Sequence, residues 1–221
     1  MSADLTGERD FPRRTRRGEA RDAQLRACAS ELFLARGYDC VSVDDIVREV
    51  GGSKTNIYRF YAGKDGLFLA VMEDLSQSIA LPLQHLKLGG LPFEVGLRKF
   101  AKTLLTVLLQ EPHLAFQRLV IAEALRHPQL ALTWYQNGPA LTQSVLKSFL
   151  TEQQVLGRVR QDVDPARVAV LFHDMVVFDL LSRAMTAIDG GPKPSEIEMT
   201  IQHAVELLTM GLEPKSAAGG T

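Results

Sequence analysis

Apolar residues recur at i, i+3, i+4 and i+7 along most of this chain, and Gly or Pro breaks the pattern again and again. That period belongs to helices, because 3.6 residues per turn bring such positions onto one face. Alternation with period two, the mark of a half-buried strand, is scarce, so the expected fold class is all-α. Over 20–35 the apolar positions are Ala20, Leu25, Ala27, Cys28, Leu32, Phe33 and Leu34, and Gly37 stops that helix. Further helices are expected near 43–50, 53–60, 65–88, 93–110, 113–126, 128–156, 165–188 and 195–211, each ended by a Gly or Pro break. Pro139 removes a backbone donor, so a bend is expected at Gly138-Pro139.

Composition narrows the class. The 221 residues allow one large domain or two small ones, and 46% hydrophobic with 23% charged residues excludes whole-chain disorder. Twenty-five basic and 26 acidic residues give a net charge of −1. A nucleic-acid or membrane partner must therefore be met by a local patch and not by the overall field. Cys28 and Cys40 make no disulfide framework and fit no zinc spacing. The five histidines are scattered, so no metal or cofactor is expected. No run of about 18 apolar residues suggests a membrane span. Residues 1–20 lack the apolar core of a secretory signal, and a cytoplasmic location follows as the expectation.

The helices before about residue 60 are short and the later ones long and more apolar, which gives the expected domains. A polar segment, 1–18, carries Arg13, Arg14, Arg16 and Arg17 and reads either as a solvated tail or as an arm along DNA. A small helical module spans 19–64, a larger bundle 65–213, and a flexible tail 214–221.

The stretch 42–64, SVDDIVREVGGSKTNIYRFYAGK, carries the most chemistry. Ser42 with Asp45 three residues on resembles a capping box. Val43, Ile46, Val47 and Val50 make an inner stripe, Gly51 ends the helix, and a second short helix begins near Ser53. Two short helices across a glycine turn, packed on a longer one, form a helix-turn-helix whose second helix reads the DNA major groove. That helix presents Ser53, Lys54, Thr55, Asn56, Tyr58, Arg59 and Tyr61, with Ile57 as inward anchor and Phe60 helping. Asn56 suits adenine and Arg59 guanine, while Lys54, Arg59 and Lys64 suit phosphates.

Residues 20–68 resemble the TetR family of bacterial transcriptional regulators. The resemblance is carried without a gap by Phe33, Gly37, Tyr38, Ser42, Val43, Ile46, Gly51, Ser53, Ile57, Tyr58, Lys64 and Leu67. It implies that Tyr58 and Lys64 grip phosphates, that Ser42 caps the first motif helix beside the backbone, and that Ser53, Lys54 and Thr55 face the groove. Val41, Gly52, Thr55 and Phe60-Tyr61 depart from the family pattern, which bears on the operator sequence and not on DNA binding. The stretch 118–139 resembles the AefR-like subgroup.

In the bundle, effector candidates are Phe100, Leu104, His113, Phe116, Gln117, Glu123, Trp134, Tyr135, His173, Met175 and Phe178. The helix at 165–188 is apolar nearly all round, so it needs burial on two sides, the second by another copy through 165–188 and 195–211. The function expected is a homodimeric, ligand-released repressor on a palindromic operator. The alternative is a constitutive or partner-controlled regulator without an effector, which the absence of an enclosed bundle cavity would favour. No nucleophile–base pair, phosphate loop or metal spacing suggests an enzyme.

Overall fold

The computed structural model describes residues 16–214. All regular structure among them is helical: α1 (Arg16–Arg36), α2 (Val43–Val50), α3 (Lys54–Tyr61), α4 (Lys64–Gln84), α5 (Phe93–Leu108), α6 (Glu111–Glu123), α7 (Pro128–Asn137), α8 (Pro139–Val155), α9 (Pro165–Thr186) and α10 (Pro194–Leu212), with one short 3-10 turn at Ile188–Gly190. The described chain divides into two compact units between Met72 and Glu73, inside α4 and not at its start. Arg13 and Arg14 and the tail beyond 214 lie outside the described residues. Arg16 and Arg17 open α1 instead of belonging to an irregular arm.

The first unit is organised around aromatic contacts. Phe33 of α1 meets Phe68 of α4 edge to face at 5.1 Å between centroids, and Tyr38 meets Phe68 at 4.7 Å. Ala29, Leu32, Val41, Ile46, Ile57 and Leu67 complete the core. Ala27, expected on the inner stripe of α1, faces solvent, and Ala29 is buried in its place. Cys28 is half-buried, and burial pushes its thiol above the usual range, with Glu49 and Glu31 adding to the shift. Such a thiol is a packing group with little nucleophilic character at neutral pH.

Helix α3 has only eight residues and ends in a sharp corner. Ala62 takes left-handed geometry (φ 60°), and a Cβ on Gly66 would lie 1.7 Å from the Tyr61 carbonyl oxygen. Tyr61 then fastens α3 to α1. Its hydroxyl donates to the Asp22 carboxylate and accepts from Arg26 Nε at 2.9 Å, and the Arg26 guanidinium lies 5.4 Å from the ring centroid.

The second unit is built on α5, α8, α9 and α10. Leu97, Phe100 and Leu104 of α5 pack with Leu146, Phe149 and Leu150 of α8, Phe172, Val176 and Leu180 of α9, and Ile201 and Val205 of α10. The expected single helix at 128–156 is two. At Gly138 the backbone turns out of helical geometry (φ −106°, ψ −100°), and Pro139 starts α8 at a position where its missing N–H costs no helical bond. Helix α4 ends at Gln84, short of 88. Pro82 lacks the N–H that would bond one turn back, and the helix stops within a turn of it.

Contrary to the sequence expectation, α4 is long and apolar enough to cross a membrane by length and composition. Its apolar side chains are spent on the interior, with Leu67, Phe68, Val71, Met72, Ile79, Ala80 and Leu83 all buried.

The Tyr61 link predicts its own test. Tyr61→Phe removes one hydroxyl that both donates and accepts, worth about 1 kcal/mol net. The melting temperature should fall by roughly 2–4 °C. A melting curve unchanged by the substitution would show that the hydroxyl does not hold α3.

Candidate functional site

The first candidate site is the outer face of α2–α3. Ser42 caps α2: its Oγ accepts from the Asp45 N–H at 3.1 Å, and the Asp45 carboxylate accepts from the Ser42 N–H at 2.9 Å and from its hydroxyl at 2.5 Å. These two hydrogen bonds from Ser42, side chain first and then backbone, hold the Asp45 carboxyl below its ordinary range. The Ser42 hydroxyl is thus engaged as donor and as acceptor. The cap is the role that the sequence predicts for Ser42. Ser53 caps α3, with its Oγ accepting from the Thr55 N–H at 3.2 Å.

Past that cap, Lys54, Thr55, Asn56, Tyr58 and Arg59 all stand exposed, and Ile57 is the buried anchor. Tyr58 has 60% of its surface in solvent. The Arg59 guanidinium lies 5.4 Å from the Phe60 ring centroid, while Phe60 itself is half-buried. Lys64 lies across Tyr38, its ammonium 4.0 Å from the ring centroid, at the first residue of α4 where backbone N–H groups favour an anion. Lys54 is ion-paired with Asp44 of α2, a carboxylate on the same exposed surface.

Tyr61 corrects the sequence reading. It was expected among the outward donors, but it is 8% exposed and its hydroxyl is taken up by Asp22 and Arg26. The hydroxyl that the Phe60-Tyr61 pair moves along α3 serves packing. Val41 is also buried, so a hydroxyl at that position would point into the core. Gly52 borders an open groove of about 310 Å³ between α1 and the helix-turn-helix corner, where it contributes no side chain.

The second candidate site lies in the second unit. A cavity of about 240 Å³ opens among α4, α5, α6, α7, α8 and α9. Of the effector candidates, Leu104, His113, Phe116, Gln117, Trp134, His173 and Phe178 line it. Phe100 does not: it is fully buried beside Phe172, 6.3 Å between centroids. Glu123 does not: it closes α6, where its carboxylate lies 3.5 Å from Arg126 Nη1. Met175 and Tyr135 are exposed and stand off the cavity wall. Sequence reading missed Ser76, Asn137, Thr142 and Asp174 on that wall. Their signal was weak, since single polar residues on solvated helices are common. The Gly138-Pro139 break was the usable clue, because it turns Asn137 and Thr142 toward one space.

The comparisons with known proteins agree with this geometry. Residues 25–71 match the model of the bacterial regulatory proteins of the tetR family, and residues 95–210 match the C-terminal domain of AefR-like transcriptional repressors. The chain is 40% identical to the transcriptional activator FasR of Mycolicibacterium smegmatis over 63 residues, spanning 28% of this chain and only 26% of that protein. It is 28% identical to the transcriptional repressor Rv1474c of Mycobacterium tuberculosis over 77% of this chain and 85% of the relative. The solved structure of the flavonoid-responsive regulator FrrA superposes with a TM-score of 0.74 at 27% identity, covering 90% of this chain and all of that one. With a helix-turn-helix whose second helix is capped and outward-facing, a helical second unit, and both halves matched by the family's models, this chain belongs to the TetR family of transcriptional regulators.

Proposed function

We propose that the protein is a homodimeric repressor that holds a palindromic operator and is released by a small molecule. The observation that carries the reading is α3 itself. Five polar side chains of an eight-residue helix stand exposed on one capped unit, and no packing demand explains them. Asn56 and Thr55 read base edges, while Lys54, Tyr58, Arg59 and Lys64 hold phosphates. Affinity comes from this arrangement and not from bulk charge, since residues 1–65 carry 12 basic and 11 acidic groups, a net of +1.

The homodimer is supported by two apolar rows that stand exposed among the described residues. On α9, Leu171, Met175 and Phe178 are exposed at i, i+4 and i+7, with Phe178 75% in solvent. On α10, Met199, Leu207 and Met210 are exposed. Full burial of an exposed apolar side chain contributes about 1.5–3 kcal/mol, and each of these, already partly buried, adds a fraction of that against a second copy. Response to a small molecule is supported by the cavity, and a regulator of similar fold is named as flavonoid-responsive. A regulator of this kind works in the cytoplasm, beside its DNA.

The reading is tested by selecting bound fragments from a random DNA pool at about 150 mM salt, where non-specific phosphate binding is weak. The expected product is a palindrome of two half-sites. A single unpaired half-site would overturn the dimer, and no enrichment would overturn operator recognition by the free protein.

Tyr58→Ala should weaken binding to every sequence alike and flatten the salt dependence, as loss of one phosphate contact does. Asn56→Ala should instead relax preference at one base position, by roughly 1–3 kcal/mol. If selection returned the same motif for Asn56→Ala, Asn56 would not read a base.

Asp44 limits this interface. Its carboxylate ties up Lys54, and on the proposed complex that negative charge opposes the phosphates. Asp44→Asn should raise affinity for all DNA severalfold and steepen the salt slope by about one unit of charge. Binding isotherms that coincide with those of the unsubstituted protein at low salt would refute this.

A further inference from the structure

The wall of the second-unit cavity carries a chemical specificity. This step rests on the effector role proposed above and concerns what fills the space. Gln117 and Ser76 line the cavity and are 6% and 4% exposed. Neither side chain has a hydrogen-bond partner among the described residues. A carboxamide in a cavity wall with no protein partner offers its donors and its acceptor to whatever fills the cavity, water or a bound polar group.

The two histidines on the wall are oriented by their other ring nitrogen. His113 Nδ1 donates to the Val107 carbonyl, and His173 Nδ1 donates to the Asp174 carboxylate at 3.0 Å. A neutral imidazole that donates from Nδ1 keeps Nε2 as an acceptor. With Nδ1 engaged, Nε2 is the ring atom left to a ligand, and in the neutral form it accepts from an O–H or N–H. Apart from these groups and Asn137, Thr142, Asp174 and Ser182 the wall is apolar, and Phe116 and Trp134 provide aromatic rings. No Lys or Arg lines the space, while Asp174 does. An anion placed there would lose its water and meet no opposite charge.

We infer that this cavity takes a neutral, planar aromatic molecule of one or two rings bearing a hydroxyl group. The hydroxyl donates to a histidine Nε2, and its oxygen accepts from the Gln117 amide. The rings lie among Phe116, Trp134 and the leucine side chains of α4 and α5. The volume of about 240 Å³ sets the size, below the usual range of pockets for drug-sized ligands.

The test uses three probes of one shape with the full-length protein: 2-naphthol, its methyl ether, and naphthalene-2-sulfonate. Equilibrium dialysis measures each dissociation constant, and operator affinity is measured with and without 2-naphthol. The expected order is 2-naphthol tightest, the ether weaker by about tenfold or more, and no saturable binding of the sulfonate. Gln117→Leu, close in volume and apolar, should weaken 2-naphthol by about tenfold and leave the ether within about twofold. Since the ligand series on the unsubstituted protein stands alone, a misfolded variant does not decide the matter.

Equal binding of 2-naphthol and its ether would overturn the hydroxyl assignment. Binding of the sulfonate as tight as that of 2-naphthol would overturn the preference for a neutral ligand. Either result leaves the cavity as a ligand site. Binding in the expected order without any change in operator affinity would sink the effector role and keep the chemical class. Failure of all three probes to bind would sink both.

Discussion

A helix of eight residues cannot stand alone in water, where about 12–15 residues are marginal even for the best sequences. Everything proposed for DNA recognition depends on how α3 is held in spite of that. Only two of its side chains, Ile57 and Tyr61, are buried. Ile57 supplies apolar contact, and Tyr61 supplies a directional link to Asp22 and Arg26 of α1. The Ser53 cap fixes the start, and the close approach of Gly66 to the Tyr61 carbonyl fixes the exit into α4. With both ends and the inner face fixed, the remaining side chains are free to be chosen for recognition. The aromatic group of Phe33, Tyr38 and Phe68 gives this arrangement a rigid base.

The second unit answers a different demand. Its core joins α5, α8, α9 and α10 with large apolar side chains, yet it leaves a cavity among the helices and apolar rows on α9 and α10. Asp174 and Phe178 touch both the cavity and the outer surface of α9. The same helix therefore borders the proposed ligand and the proposed second copy, which gives a ligand a direct means of biasing the dimer without a long relay.

Much of the fold was legible as sequence because it follows from local rules. The 3.6-residue period, the Gly and Pro breaks and the Ser42 capping box identify their helices through neighbours within four positions. Gly138-Pro139 was legible only in part. The sequence announced a disturbance, but whether the chain bends or breaks there depends on what α7 and α8 pack against. Tyr61 shows the limit for the site. It is a polar residue in a DNA-contact pattern, and nothing nearby in sequence says that Asp22, thirty-nine positions earlier, would take its hydroxyl. Phe100, Glu123 and Met175 fail for the same reason, since helical spacing gives a face but not what lies opposite it.

The sequence by itself determined the helical class, the helix-turn-helix with the capping box of its first helix, and the family, because these depend on short-range periodicity and on a motif carried in one unbroken register. Only the tertiary structure decided which hydroxyl pins α3, which candidates share a cavity, and that Gln117 and Ser76 line it without protein partners. The reason is geometric. Those properties arise between helices distant in the chain, where the rotation of each helix about its axis decides what a side chain meets, and that rotation is fixed by packing and not by local sequence.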